Sequence, residues 1–230
     1  MTSHLHFDHD QYARQFDEKE FWKQVKRTVN GKSVSEEDIN LITTKIFESL
    51  ELKISDKLLD IGCGNGAITS FFKTKVSTIK AFDPSPYMIE IANKYFSSKC
   101  ISFVVGSAQE TIEIIKNKDY YNKILFYGSF SYIEVDEAKI ILKKLYNLLE
   151  ENSKVFIGNI PNIEFHKEFF SKYTNPIIPP IKSHRSSIGV WYAPSEMERI
   201  CTNIGWKTST SIMPKEFYSS NYRFDITLSK

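Results

Sequence analysis

Three groups of residues have the types and spacing to do chemistry. The first is Asp60-Ile61-Gly62-Cys63-Gly64-Asn65-Gly66, in which three glycines alternate with other residues and an acid stands two places before the first glycine. Glycine is required where a backbone turns sharply and must admit a ligand, because any Cβ would fill that space. The spacing is G-x-G-x-G rather than the G-x-G-x-x-G that sets a helix N-terminus against a pyrophosphate, and an acid at such a cleft repels phosphate and favours a cation. The second group is Asp83, 17 positions beyond Gly66. An acid at the end of a second strand can accept both hydroxyls of a ribose, and the Asp83-Pro84-Ser85-Pro86 turn that it opens is compatible with that role. The third is His4-Leu5-His6-Phe7-Asp8-His9, whose H-x-H-x-D-H spacing suits a clasp for two divalent metals.

The elements that would position these groups follow from hydrophobic periodicity. Short apolar runs predict strands at Lys57 to Ile61, Thr78 to Phe82, Ile101 to Val105, Lys123 to Tyr127 and Lys154 to Gly158. Between them, helical spacing predicts helices at Ala67 to Lys73, Tyr87 to Phe96, Gln109 to Lys116 and Glu134 to Glu150. Alternation of this kind means a parallel sheet covered on both faces, with ligands beyond the carboxyl ends of its strands where the strand order reverses. The loop Asp60 to Gly66 and the carboxylate of Asp83 would then lie side by side. Two helices are expected ahead of the first strand. One runs from Asp17 to Val29, with Phe21, Trp22, Val25 and Val29 on one face, and stops at Asn30-Gly31; the other is capped by Ser35 with Asp38 and carries Ile39, Ile42, Ile46 and Leu50. Residues 1–50 thus read as an N-terminal helical segment able to cover a sheet edge or to lie over the cleft as a lid, and 51–230 as the main domain.

Composition narrows the class of partner. The 230 residues are 41% hydrophobic, enough for a sizeable core, and 30 basic residues nearly balance 28 acidic ones for a net charge of +2. No basic arm or acidic tail is present, so charge makes no case for nucleic acid or a membrane surface as partner. The first residues lack the apolar core of a signal peptide and no apolar run reaches the length of a membrane span, so a cytoplasmic location is expected. Three well-separated cysteines, Cys63, Cys100 and Cys201, form neither a disulfide framework nor a metal knuckle. No oligomeric state is specified.

Two family resemblances carry competing expectations. The histidine cluster is similar in spacing to the motif of the metallo-β-lactamase family, but there the motif follows a buried strand, whereas here it lies at residues 4–9 with only His166 and His184 to complete it, and no metal is expected. Asp60-Ile61-Gly62-Cys63-Gly64-Asn65-Gly66 resembles motif I of the class I S-adenosylmethionine-dependent methyltransferases, whose cofactor carries a sulfonium and an ammonium group. Ala81-Phe82-Asp83-Pro84-Ser85-Pro86-Tyr87-Met88 resembles that family's ribose-binding segment, which sets Met88 below the adenine. Gly106-Ser107-Ala108-Gln109 resembles its adenine-contacting turn, with Ser107 or Gln109 supplying the contact to the adenine amino group. The segment Phe126-Tyr127-Gly128-Ser129-Phe130-Ser131-Tyr132 matches in position, and Tyr192 to Glu198, Gly205-Trp206 and Tyr222 to Ile226 resemble the last helix and closing strand pair.

The resemblance implies an α/β, Rossmann-like, doubly wound sheet of seven strands, mostly parallel, whose last strand (Arg223 to Leu228) is antiparallel. Implied with it are S-adenosyl-L-methionine as cofactor and methyl transfer to an acceptor as the reaction. Tyr12 would close over the methionine end, as similar tyrosines do in the family, or serve in packing. The Asn/Asp-Pro-Pro-aromatic tetrad of amino methyltransferases is absent after strand four, which favours a small-molecule acceptor over a nucleic acid, with tRNA or rRNA as the alternative. The acceptor pocket is expected between the lid and an insertion at 159–193, which includes an aromatic helix from Glu164 to Tyr173 and a proline-rich loop from Asn175 to Ile181. Its polar candidates are His166 and His184 as bases, Arg27 and Arg185 as carboxylate or phosphate ligands, and Tyr132 at the wall.

Overall fold

The computed structural model describes residues 9–116, 121–171, 185–186 and 188–230. A seven-stranded sheet organises them: β3 (Lys57–Ile61), β4 (Thr78–Asp83), β5 (Ile101–Val105), β6 (Lys123–Tyr127), β7 (Lys154–Pro161), β10 (Lys207–Ser211) and β11 (Arg223–Ser229). They lie in the order β10-β11-β7-β6-β3-β4-β5. Pairing from β7 through β5 is parallel, and β11 runs antiparallel to both of its neighbours, β7 and β10. The order reverses between β3 and β6, where doubly wound sheets open their crevice. Among the described residues no helix is long and apolar enough to cross a membrane.

Side chains alternate between the two faces of each strand, so each face builds its own core. Leu58 packs with Ile39, Ile42, Ile46 and Leu50 of α2 (Glu36–Leu50) and with Ile89 and Ala92 of α3 (Pro86–Phe96). Leu59 and Ile61 meet Ile112 of α4 (Ala108–Lys116), Ala138, Ile141, Leu142 and Leu145 of α5 (Val135–Leu148) and Met197 and Cys201 of α7 (Pro194–Ile204) on the other face. The helix starts are set locally. Ser35 accepts from the Asp38 amide at 3.1 Å in a capping box, and the Ser85 hydroxyl accepts from the Met88 amide at 3.2 Å ahead of Pro86.

Three predicted helices differ, wholly or in part, from their expected form. In place of a helix from Asp17 to Val29 there is one turn, α1 (Phe21–Gln24), followed by a hairpin of β1 (Thr28–Val29) and β2 (Lys32–Ser33). Asn30 and Gly31, with φ of 51° and 77°, form its tip. Two consecutive left-handed residues are what a two-residue hairpin of the primed type demands, so Asn30-Gly31 turns a hairpin rather than ending a helix. After the glycine loop the chain winds as a short 3-10 turn, Thr69–Phe72, the usual form of so brief a stretch. The predicted aromatic helix begins as a 3-10 turn, Ile163–Phe165, and continues as α6 (His166–Ser171); the remainder of that stretch and the proline-rich loop lie outside the described residues.

Candidate functional site

The loop between β3 and the 3-10 turn is held by its own backbone. The amides of Gly62 and Cys63 both donate to the Phe82 carbonyl, at 2.7 and 2.9 Å, which ties the loop to the end of β4. Gly62 has φ of +79°, and a Cβ there would lie 2.2 Å from the Ser129 Cβ, so the turn admits no side chain. Gly64, at φ of +57°, is crowded on one side only, by Val25 Cγ1 at 3.0 Å from such a Cβ. Asp83 completes the unit: Oδ2 accepts from the Gly64 amide at 2.8 Å and Oδ1 from the Ser85 amide at 2.9 Å. The two segments that the sequence sets 17 residues apart are therefore bonded to each other.

A cavity of about 590 Å³ opens from this junction, within the range of cofactor and substrate sites. On its β4–β5 side the wall is Asp83, Pro84, Met88, Ser107, Ala108, Gln109 and Glu110. Ser107 is also the cap of α4: its hydroxyl donates to Glu110 at 2.8 Å and accepts from the Glu110 amide, which leaves Gln109 with the exposed amide side chain at that rim. Below the loop lie Ile61, Gly62, Cys63, Gly64 and Phe126. On the β6–β7–β11 side are Tyr127, Gly128, Ser129, Asn159, Tyr218, Tyr222 and Arg223. His9 and the run Val25 to Thr28, including Arg27, close over the cavity from the N-terminal side, and Tyr132 meets the His9 ring edge-on at 4.4 Å.

Several expected site residues stand behind this wall or outside it. Asn65 is 1% exposed and its amide nitrogen donates to the Phe21 carbonyl and to Gln24 Oε1, both at 2.8 Å. It is a tether between the loop and α1. Gly66 packs against the Phe103 ring in the interior. Tyr12 stacks edge-on to Phe16 at 5.0 Å with the Lys26 ammonium over its ring. His166 is 2% exposed among Phe170 and Trp191, its Nδ1 makes no hydrogen bond, and burial holds its pKa below the usual value, so it is a neutral core histidine. His184 lies outside the described residues, and Arg185 sits on β8 (Arg185–Ser186), opposite Val190 of β9 (Gly189–Val190). His4, His6 and Asp8 also lie outside, and no cluster of His, Cys, Asp and Glu that could hold a metal occurs among the described residues.

Asp60 points from β3 into the interior, 3% exposed, and its Oδ2 accepts from the Thr69 hydroxyl at 2.6 Å. Burial pushes its pKa up from 3.8 to about 7, against the Thr69 bond and the Arg27 charge, with the Asp83 charge adding to the rise. Between the unfolded and folded values the folded state holds a proton that the unfolded state has lost, so stability falls as pH climbs from about 4 to about 7 and levels off above. Asp225, raised by burial to about 6, adds to the same trend. In Asp60→Asn the loss of melting temperature between pH 4.5 and 7.5 is expected to be smaller than in the parent chain, and calorimetric scans at the two pH values measure it. An equal loss in both would show that Asp60 is not the titrating group.

The clamp on the N-terminal segment was not readable from spacing. Asp10 Oδ1 accepts from the Ser85 hydroxyl and, at 3.0 Å, from the Tyr87 amide, while its Oδ2 takes Arg14 Nε at 2.8 Å. Burial raises the Asp10 pKa, but the bonds from Ser85, Arg14 and Tyr87 outweigh it and leave the carboxyl below its usual range. Residues 9–28 are thereby pinned to the start of α3 at one end and to the glycine loop at the other. Replacing Asn65 by Ala leaves Gln24 Oε1 buried without its donor, and a loss of about 1–3 kcal/mol is expected. Hydrogen exchange should then speed up in residues 17–28 ahead of the sheet strands; uniform protection would refute the tether.

Known proteins resemble this arrangement at three levels. A family model described as a methyltransferase domain matches residues 58–152, from the first sheet strand to the end of α5. An uncharacterized methyltransferase of Staphylococcus carnosus is 25% identical over 158 residues, 68% of this chain and 73% of that protein. A ribosomal RNA small subunit methyltransferase A of Mesomycoplasma hyopneumoniae is 32% identical over 94 residues, only 37% of this chain and 36% of its own length. The structure of the N-methyltransferase NodS from Bradyrhizobium japonicum, solved with S-adenosyl-L-homocysteine, shares the fold at a TM-score of 0.67 with 11% identity, over 98% of both chains. The matched domain, the strand order with one reversed strand and the glycine loop joined to Asp83 agree: residues 58–152 carry a methyltransferase domain, on a fold shared with S-adenosylmethionine-dependent methyltransferases.

Proposed function

We propose that the chain methylates a small-molecule acceptor bound in the same cavity as the cofactor. The observation that carries this reading is that one cavity of about 590 Å³ runs from the Asp83 side to the Arg223 side beneath the N-terminal segment. When bound, the cofactor supplies a methyl group on a positively charged sulfur, already a good leaving group. The residues fit it: Gly64 leaves its cavity side clear of any Cβ, and Asp83 brings a carboxylate to the wall at the end of β4. In this reading Asp83 takes the ribose hydroxyls, Pro84 and Met88 support the adenine, and Ser107, Ala108 and Gln109 form its rim. Gly62, Cys63 and Gly64 border the methionine portion, with Phe126 beneath it.

The protein's task is alignment and exclusion of water, and a base is needed only if the acceptor must lose a proton. Burial pushes the Tyr127 phenol well above its ordinary pKa, so it is a neutral hydroxyl able to orient an acceptor rather than take its proton. A small molecule is favoured over RNA because the N-terminal segment covers the cavity and the balanced charge supplies no basic track. Three thiols, none in a disulfide, fit a reducing compartment such as the cytoplasm. Incubation of the protein and S-adenosyl-[methyl-³H]methionine with a cell extract tests the acceptor class. Label is expected in the low-mass fraction, and enzyme-dependent label chiefly in RNA would overturn this reading in favour of an RNA substrate.

A further inference from the structure

The acceptor end of the cavity carries two guanidiniums that no carboxylate within the described residues neutralises. Arg27 comes from the segment ahead of the hairpin and Arg223 from the start of β11, far apart in sequence yet lining the same cavity. Their placement is fixed through shared neighbours. Arg223 Nη1 donates to the Asn159 carbonyl at 2.6 Å, and the Arg27 guanidinium lies over the Tyr127 ring, 5.1 Å from its centre. A Cβ built on Gly128 would have Asn159 Nδ2 at 3.4 Å and Arg27 Nη2 at 3.9 Å, so both arginines flank the same short stretch at the end of β6. The phenols of Tyr127 and Tyr218 each feel the positive charge of both arginines.

These groups also have unused hydrogen-bonding capacity. Arg27 Nε, Arg223 Nε, Tyr127 Oη and Asn159 Oδ1 are buried and make no hydrogen bond among the described residues. Buried polar atoms in folded proteins nearly always find partners, so four unsatisfied atoms on residues that line one cavity indicate a ligand that supplies them. The chain also spends strain here: Asn159 holds φ of +66°, a left-handed value for a non-glycine residue, with its amide bound by Asp225 Oδ1 at 2.8 Å and its carbonyl by Arg223. The acids nearby do not serve as partners. Asp60 is behind the glycine loop on Thr69, and Asp225 is turned to the Asn159 amide.

We propose that the methyl acceptor bears an anionic group, a carboxylate or a phosphate, and that Arg27 and Arg223 together bind it beside Gly128. This rests on the cofactor and acceptor sharing one cavity, as argued above. The two guanidiniums suit either anion, since each can offer a paired N–H fork to two oxygens. The uncharged hydroxyl of Tyr127 and the amide of Asn159 then hold the part of the acceptor nearest the anion.

Titration calorimetry on the protein saturated with S-adenosylhomocysteine, using inorganic phosphate and succinate as separate probes, tests the site. Saturable binding of at least one probe is expected, and the one bound more tightly identifies the anion class. Arg27→Gln and Arg223→Gln should each weaken it by about tenfold or more while S-adenosylhomocysteine affinity stays within about twofold. Among the described residues the Arg27 side chain has no hydrogen-bond partner, so R27Q remains informative even if R223Q, which loses the Asn159 contact, melts early; R223K then serves in its place. Absence of binding by both probes, or binding unchanged in R27Q, overturns the proposal. Failure of the wild-type chain to bind S-adenosylhomocysteine is a different result, which removes the shared-cavity reading and this one with it.

Discussion

Asp83→Ala is expected to weaken S-adenosylhomocysteine binding by about 100- to 1,000-fold while leaving the fold intact, since hydrogen bonds to a charged group contribute about 1.5–3 kcal/mol each. On the proposed reading Asp83 has two tasks at once. Its Oδ2 fixes the Gly64 amide and its Oδ1 the Ser85 amide, which sets the loop against the start of α3. A carboxylate oxygen can accept more than one hydrogen bond, and on the proposed reading the group, which lines the cavity, also takes the ribose hydroxyls. Removing the side chain ends both functions. Gly64 is partly exposed and water replaces its lost acceptor, so the melting temperature should fall by only a few degrees. Calorimetric titration gives the affinity and a thermal scan the stability. A variant that binds within about threefold of wild type would remove Asp83 from the cofactor site.

The second large effect separates two glycines that look alike in sequence. Gly62→Ala would place a Cβ 2.2 Å from the Ser129 Cβ, and Ser129 cannot yield readily because its hydroxyl is bonded to the Ile61 carbonyl at 2.7 Å. Adding the positive φ, a loss of about 2–4 kcal/mol is expected, which for a chain of this size lowers the melting temperature by about 5–15 °C. Gly64→Ala meets only the tip of Val25, a side chain free to shift, so its cost to stability should be nearer 1 kcal/mol, mostly from φ. Its new methyl group stands where the loop borders the cavity, so ligand affinity should fall more than stability. The contrast is the test: G62A fails first in the thermal scan, G64A first in the titration. Equal melting temperatures for the two would contradict the packing described for Gly62.

Much of the fold was legible in the chain because its signals are local. Strands β3 to β7 and the helices α3, α4 and α5 follow from periodicity, and Ser35 with Asp38 announced the start of α2 through a capping box. The glycine spacing and Asp83 pointed to one place because a doubly wound sheet brings strand ends together. Misreadings arose where two local signals competed. Phe21, Trp22, Val25 and Val29 have helical spacing, yet Asn30-Gly31 after the β-branched Thr28 and Val29 specified a hairpin. His166 had the chemistry of a base, but its neighbours Phe169 and Phe170 with distant Trp191 make it core. Contacts made only by tertiary approach left no pattern: Asp10 on Ser85, Gln24 on Asn65, and Arg223 beside Arg27 and Asn159 join segments with no fixed spacing. The buried acid Asp60 was visible as a residue, whereas its position behind the loop, bonded to Thr69, came from the strand's alternation of faces.

Titration of the wild-type chain with S-adenosylhomocysteine is the most direct measurement of the central claim, that the glycine loop and Asp83 form a cofactor site. The expected result is a single saturable site per chain in the micromolar range, competed by S-adenosylmethionine. Absence of binding at millimolar ligand, by a protein whose thermal scan shows it folded, would contradict it.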